Sequence, residues 1–148
     1  MMKTQNLYRF VWMSRPLMQA AEANVEKGLA GTDLTVRMRA VLEILRAEGD
    51  LPVPEIAAKL DIQRQYVQVM VNETLASDLT AQRPNPRHKR SPLLTLTDTG
   101  RTLIDTVVRR EMEVMERMSA GLSDADIATA LSVIQTVTER LKAEAGGS

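Results

Sequence analysis

The chain has 148 residues, which is enough for one domain with a hydrophobic core and too few for two domains of ordinary size. Its composition is 44% hydrophobic and 26% charged, which favours a folded soluble protein over a disordered one. The formal net charge is zero, the chain has no cysteine, and its one histidine is His88. These counts exclude disulfides, cysteine-based redox sensing, and metal sites made of thiolates or several histidines.

No apolar run approaches the roughly 18 residues that a membrane span needs, and no secretory apolar region follows the start. We therefore expect a cytoplasmic protein with no membrane partner, no bound metal and no cofactor. We expect residues 1–148 to form a single domain.

The first part of the chain predicts a helix over residues 3–27, where apolar residues recur near helical spacing. Tyr8, Phe10 and Trp12 are three of the four aromatic residues, and a cluster so near one end favours packing against a partner subunit. Ser14 and Pro16 predict a kink or a second helix start, because proline removes a donor and clashes with the preceding turn.

A second helix follows the break at residues 28–33 and ends at Gly49, which suits the left-handed cap position. Its expected inner face consists of Leu34, Met38, Val41, Leu42 and Leu45. Residues 50–53 are expected to be short and extended. Pro54 then lies in the first turn of a third helix, where proline is tolerated.

Residues 55–71, EIAAKLDIQRQYVQVMV, predict a helix, a tight turn at Asp61 and Ile62, and a second helix. We expect this second helix over residues 63–77. At about 100° per residue, Val67, Met70, Val71 and Thr74 fall on its inner side. The outer side is rich in amides and almost free of charge.

Two short strands, Leu79–Arg83 and Leu93–Thr97, are expected to flank the basic loop at residues 84–92. The segment RPNPRHKR, residues 83–90, carries four arginines and lysines, one histidine and no acid. Thr97 is expected to cap a long helix reaching about Ala120. A last helix begins at SDAD, residues 123–126, and the final GGS is expected to fray.

A helix-turn-helix followed by a hairpin is the winged-helix arrangement, so the predicted fold is mainly α with a small β-hairpin. Glutamine and asparagine can bind adenine bidentately, arginine can bind guanine, and valine can contact a thymine methyl. Arginines at a narrow loop tip suit the minor groove or its phosphates. We therefore expect double-stranded DNA as the partner. The predicted DNA-binding residues are Gln63, Arg64, Gln65, Tyr66, Gln68, Val69 and Asn72 on the helix, and Arg87, His88, Lys89 and Arg90 on the loop.

The two segments EIAAKLDIQRQYVQVMV and RPNPRHKRSPLLTLTDTG resemble the MarR (multiple antibiotic resistance regulator) family of winged-helix transcription factors. The wing of that family carries Asp-x-Arg-x-x-Arg, a serine or similar residue, a strand and Leu-Thr-x-x-Gly. The matching residues here are Arg87, Arg90, Ser91, Leu96, Thr97 and Gly100. Four positions depart from the family: Asn85 replaces an aspartate that pairs with the last wing arginine, His88 replaces an acid, Asp78 replaces a glycine, and Gln63 stands where a capping serine or threonine is common. We expect Asn85 to keep that contact as a neutral hydrogen bond.

The resemblance implies a DNA-binding lobe over residues 34–100 and a homodimer held by helices at 3–27 and 101–143. It implies one recognition helix per half-site of a pseudo-palindromic operator, with Arg87 or a neighbour at the minor groove. We expect the regulator to be a repressor.

Many members of the family respond to small aromatic ligands bound between the dimerisation helices and the DNA-binding lobe. The candidate residues for such a site are Trp12, Met13, Arg37, Met38, Met112 and Met115. Methionine adapts to irregular ligands, but dimer core is the preferred interpretation of these residues.

We do not expect an enzyme, because the chain offers no set of nucleophile, base and acid. The alternative from another class is a winged helix whose basic wing binds an acidic protein rather than specific DNA.

Overall fold

The computed structural model describes residues 2–146, which form six helices and three strands. In chain order these are α1 (Met2–Leu29), α2 (Val36–Glu48), β1 (Leu51–Pro52), α3 (Val53–Leu60), α4 (Arg64–Ala76), β2 (Thr80–Arg83), β3 (Leu93–Leu96), α5 (Asp98–Met118) and α6 (Asp124–Gly146). The chain divides into two compact units, one up to Glu111 and one from Met112 onwards. The predicted fold class, mainly helical with a winged helix-turn-helix, is confirmed.

The core of the first unit is built from the inner faces that helical spacing predicts. All five residues expected on the inner face of α2 are buried or nearly so, and the four expected on the inner face of α4 are fully enclosed. Thr35 begins α2 by accepting a hydrogen bond from the backbone N–H of Met38 at 3.1 Å. Gly49 ends α2, as expected, but not in the left-handed helical conformation: its φ is 86° and its ψ is −166°, a positive-φ conformation that favours glycine.

The short extended segment expected at residues 50–53 forms a strand, β1, which joins the predicted hairpin in one sheet. Its order is β1-β3-β2, and both pairs are antiparallel. Leu51 lies opposite Leu94, so the short segment before α3 closes the open edge of the hairpin. The hairpin register places Arg83 opposite Leu93 and Thr80 opposite Leu96, which fixes residues 84–92 as the connecting loop.

The start of α5 packs directly against the two residues that precede β2, Asp78 and Leu79. The Thr97 hydroxyl donates to the carbonyl of Asp78 at 2.7 Å and accepts from the backbone N–H of Gly100 at 3.0 Å. Gly100 lies so close to the main chain of Leu79 that a Cβ at this position would overlap its carbonyl group. Asp78 itself is left-handed, with φ at 57°. The Leu-Thr-x-x-Gly pattern is therefore a helix cap joined to a close backbone contact.

Helix α1 runs unbroken through Pro16, so the predicted second helix start at this position is wrong. One proline removes a single backbone donor, and the rest of a 28-residue helix retains its hydrogen bonds. The Tyr8 and Trp12 rings meet edge to face at 6.3 Å, and the Arg15 guanidinium lies 5.8 Å from the centre of the Trp12 ring.

In the second unit, α6 begins where the capping-box spacing predicts, because Ser123 accepts a hydrogen bond from the N–H of Asp126 at 3.1 Å. Among the described residues, α6 buries no side chain. Its exposed large apolar residues are Ile127, Leu131, Val133, Ile134 and Leu141. Of the GGS tail, Gly146 ends α6, and the last two residues lie outside the described part of the chain.

Candidate nucleic-acid interface

The turn between α3 and α4 sets the angle of the second helix. Asp61 ends α3 in the left-handed conformation, with φ at 57° and ψ at 46°. The N–H of Ile62 then donates to the carbonyl of Ala57 at 3.1 Å, and the Ile62 side chain is half-buried against the core. Gln63 occupies the N-cap position of α4 without a side-chain capping bond, so its amide stays on the surface. The turn leaves the outer face of α4 open.

Helix α4 has two faces, as the spacing predicts. The inner residues Val67, Met70, Val71 and Thr74 are buried. The predicted DNA-contacting residues Gln63, Arg64, Gln65, Tyr66, Gln68, Val69 and Asn72 are all exposed. Val69 exposes 51% of its surface and lies among the exposed amides of this face. The structure therefore assembles an amide-rich surface with a central apolar residue.

Two of the amides on this surface are joined to each other. The Gln68 Nε2 group donates to Asn72 Oδ1 at 2.9 Å, one helical turn further on. This bond occupies one N–H of Gln68 and leaves its carbonyl oxygen and its other N–H available. Gln68 can then make a bidentate contact with a base while Asn72 holds its side chain in place.

The loop at residues 84–92, called the wing loop from here on, is braced by Asn85. Its Nδ2 group donates to the carbonyl of Ser91 at 2.9 Å, and its Oδ1 accepts from the backbone N–H of Arg87 at 3.0 Å. Asn85 was expected to bond the last wing arginine, and that expectation is wrong, because the amide satisfies main-chain groups of its own loop instead. The loop is thereby held as a narrow turn.

The basic residues of the wing loop are on its surface. Arg87, His88, Lys89 and Arg90 are all exposed. Arg83 is excluded from this group, because its Nε donates to Asp50 at 2.7 Å and ties β2 to the segment before β1. The positive charge is therefore concentrated at the loop itself.

A groove of about 380 Å³ separates α4 from the wing loop. Arg64, Gln65 and Gln68 line it from the helix, and Gln82 and Arg90 line it from the hairpin. The two predicted DNA-contacting segments are therefore neighbours across one depression.

The candidate ligand residues are dispersed. Met38 is part of the core at 6% exposure, whereas the neighbouring Arg37 faces α4. Trp12 and Met13 are exposed on α1. Met112 and Met115 are exposed on the part of α5 that belongs to the second unit. A ligand site built from these residues stays a prediction.

Ion pairs connect α2 to its neighbours, and sequence reasoning did not find them. Arg37 donates to Glu73 of α4 at 2.7 Å. The hydroxyl oxygen of Tyr66 and the carboxylate of Glu73 stabilise the charged guanidinium and raise its pKa. Arg39 makes two hydrogen bonds to Glu111 of α5, and these bonds raise the pKa of its guanidinium. The sequence showed only that Arg37 and Arg39 could bind carboxylates, and it did not indicate which carboxylates these would be.

This fold and surface define a winged helix-turn-helix DNA-binding protein. The chain belongs to the MarR family of transcriptional regulators. It superimposes on a MarR family transcription regulator of known crystal structure with a TM-score of 0.82 and 32% identity, over 99% of this chain and 96% of the other. The relationship therefore extends over residues 3–27 and 101–143 as well as over residues 34–100.

Two further solved structures share the fold at lower identity. BpsR of Bordetella bronchiseptica, whose DNA binding is regulated by 6-hydroxynicotinic acid, is 22% identical with a TM-score of 0.72, over 85% of this chain and 90% of BpsR. The PcaV transcriptional regulator of Streptomyces coelicolor, solved with its natural ligand, is 23% identical with a TM-score of 0.71, over 86% and 89% of the two chains.

Uncharacterized proteins of Mycobacterium tuberculosis and Mycobacterium bovis are 33% identical over 94 residues, which is 64% of this chain. The match spans 66% of each mycobacterial protein, just under two thirds of its length. No protein-family model matches the chain. None of the helices in the described region has the length and apolar character to cross a membrane.

Proposed function

We propose that this protein is a sequence-specific transcriptional regulator that binds a pseudo-palindromic operator as a homodimer. The observation that carries the proposal is the outer face of α4, where amides and one valine are exposed beside a basic wing loop. In this proposal α4 of each subunit lies in a major groove and reads bases. The wing loop lies at the adjacent minor groove and binds mainly the backbone.

The division between reading and anchoring follows from the chemistry of the two surfaces. Base edges in the major groove present donors, acceptors and thymine methyl groups, which suit Gln68, Asn72 and Val69. The minor groove carries a degenerate base pattern and a negative potential, which suits Arg87 and Arg90. The helix offers little charge, so the wing loop supplies most of the salt-dependent affinity.

The homodimer is supported by apolar surface that the single chain leaves uncovered. Helix α6 has 23 residues and buries none of them, which is not a stable state for an isolated helix with an apolar side. Ile127, Leu131 and Ile134 recur at the three-four spacing of a helix-helix seam. A second copy of the chain is the occupant that also gives two recognition helices for two half-sites.

Control by an effector is the least constrained part of the proposal. BpsR is regulated by a small aromatic acid and PcaV was solved with a natural ligand, and both share this fold. We infer that a small aromatic compound releases this protein from its operator and that it acts as a repressor. Titration of hydroxylated aromatic acids into the protein–DNA complex tests this, and no release by any of them would argue against it.

Selection of bound sequences from a random DNA pool tests the proposed function as a whole. We expect an enriched sequence with two inverted half-sites whose centres are about one helical turn, or ~34 Å, apart. An enriched single half-site would contradict the dimeric mode of binding. No enrichment at all would favour the alternative, in which the winged helix binds an acidic protein.

A further inference from the structure

The two flanks of α4 differ in what lies beside them. With Gln65 at the centre of the outer face, Arg64 and Gln68 point to one flank, at about 100° per residue, and line the groove beside the wing loop. Tyr66 and Glu73 point to the opposite flank by the same geometry. The proposed function assigns contacts to the first flank. On the second flank Tyr66 is a predicted DNA-contacting residue, and Glu73 has no assigned role.

Arg37 occupies this second flank. It lies in the first turn of α2, and its Nη2 is 2.7 Å from Glu73 Oε1. Tyr66, two helical turns before Glu73, lies near enough to hydrogen-bond the same guanidinium. About half of the Arg37 side chain, 49%, is exposed to solvent. One cation is therefore held along the edge of the proposed reading surface.

The dimensions of DNA decide what this flank would meet. A helix with its side chains is about 10–12 Å across, and the major groove is about 12 Å wide. A recognition helix that fills the groove brings both of its flanks near a phosphate strand. The wing side meets its strand with Arg64 and Arg90, and the other side meets its strand with Arg37 and Tyr66.

We propose that Arg37 binds a phosphate on the groove wall opposite the wing, with the Tyr66 hydroxyl as a second donor. In the free protein the Glu73 carboxylate pairs with the guanidinium and offsets its positive charge. Arginine has five N–H donors, so a contact to Glu73 leaves others for a phosphate oxygen. This inference rests on the proposed function, because it assigns a further contact to the same interface.

The rival explanation is that Arg37 only ties α2 to α4. The two explanations give opposite signs for one substitution. Removing the carboxylate in Glu73→Gln frees Arg37 and takes a negative charge away from the DNA, so a phosphate contact predicts tighter binding. If Arg37 only joins α2 to α4 through its ion pair, Glu73→Gln should weaken DNA binding, because it breaks that ion pair just as Arg37→Gln does.

The experiment measures affinity for the selected DNA sequence between 50 and 200 mM salt. Each phosphate contact contributes about 0.9 to the slope of log affinity against log salt. Arg37→Gln should therefore lower the slope by about 0.9 for each half-site, or about 1.8 for a dimer. Arg37→Lys keeps the cation and should keep most of the slope.

Arg46→Gln is the matched control. Arg46 lies on the same helix in an ion pair of similar exposure, but its partner Asp105 is on α5 rather than α4. Arg46→Gln changes the net charge by the same amount as Arg37→Gln and should leave the slope of log affinity against log salt unchanged. Thermal unfolding of every variant distinguishes the loss of a DNA contact from a loss of folded protein. If Arg37→Gln is unstable, the direction in which Glu73→Gln changes the affinity for DNA still decides between the two explanations.

The inference is overturned if Arg37→Gln keeps the slope of Arg46→Gln, or if Glu73→Gln binds more weakly than the unsubstituted protein. In either case the unsubstituted protein still prefers its selected DNA, and the proposed function stands. If the unsubstituted protein itself shows no such preference, the proposed function fails, and this inference fails with it.

Discussion

The hydroxyl oxygens of Thr74 and Thr80 lie 2.8 Å apart in the buried interior and join α4 to β2. Thr74 also donates to the carbonyl of Val71 at 2.7 Å, so its one proton is used and Thr80 must donate to it. Both residues are at most 3% exposed. Helix α4 and the hairpin are thus linked by a buried hydrogen bond between these two side chains.

Thr74→Val should destabilise the protein more than its change of volume suggests, because the buried Thr80 hydroxyl loses its acceptor. A buried donor without a partner costs about 1–3 kcal/mol. The double variant with Thr80→Val removes both hydroxyls and should recover part of that loss. Urea unfolding at a fixed protein concentration measures both, and additive losses would contradict this explanation.

Gly100→Ala should be strongly destabilising, because the added Cβ overlaps the backbone carbonyl of Leu79 and the main chain must move. Overpacking of this kind costs about 1–3 kcal/mol or more. Gly28→Ala is the matched control, since a Cβ at this helical position meets no atom within 4 Å. It should stabilise by roughly 0.5–1 kcal/mol through helix propensity. Thermal unfolding of the two variants should therefore show opposite shifts of Tm.

Gln68→Ala and Arg87→Ala should weaken DNA binding in different ways. Gln68→Ala removes a base contact and should relax sequence preference by about 1–3 kcal/mol at one position, with little effect on the salt slope. Arg87→Ala should weaken binding to all sequences and lower the salt slope by about one unit for each half-site. Binding isotherms on selected and shuffled DNA at several salt concentrations separate these effects. If the two variants change sequence preference and salt slope alike, the proposal that α4 contacts bases and the wing loop contacts the backbone is contradicted.

Leu131→Glu should convert the protein from a dimer to a monomer, because it places a charge on the exposed apolar side of α6. Sedimentation should give about twice the chain mass of 16.5 kDa for the unsubstituted protein and the single-chain mass for the variant. Thr129→Glu, about 160° away from Leu131 on the same helix, should remain dimeric. A single-chain mass for the unsubstituted protein would exclude the two-half-site mode of binding.

Local patterns in the sequence were sufficient for the helices and for the two faces of α4. Helical spacing predicted that Val67 and Met70 are buried, and strand spacing with the prolines predicted the hairpin and its loop. The glycine at residue 49 and the threonine at residue 97 ended and began helices where their chemistry predicts. These features depend on residues that are close together in the chain, so they can be predicted from the sequence alone.

Features that depend on distant residues were not predicted. The pairing of Leu51 with Leu94 joins segments that only the folded chain brings together. Arg39 and Glu111 form an ion pair although they are 72 positions apart in the chain, and the residues around each of them do not indicate which partner it has. Asn85 was misjudged for the opposite reason, because the family pattern suggested an arginine partner while the nearer main-chain groups bind its amide.

The most direct test of base reading by α4 is the ratio of affinities for the selected DNA sequence and for a shuffled sequence of the same length and composition. Competition binding at physiological salt measures this ratio without interference from the charge of the wing loop, which acts on both DNAs alike. The proposed function predicts a preference of about 10³-fold or more for the selected sequence, falling markedly in Gln68→Ala. Equal affinities for the two DNAs would contradict it.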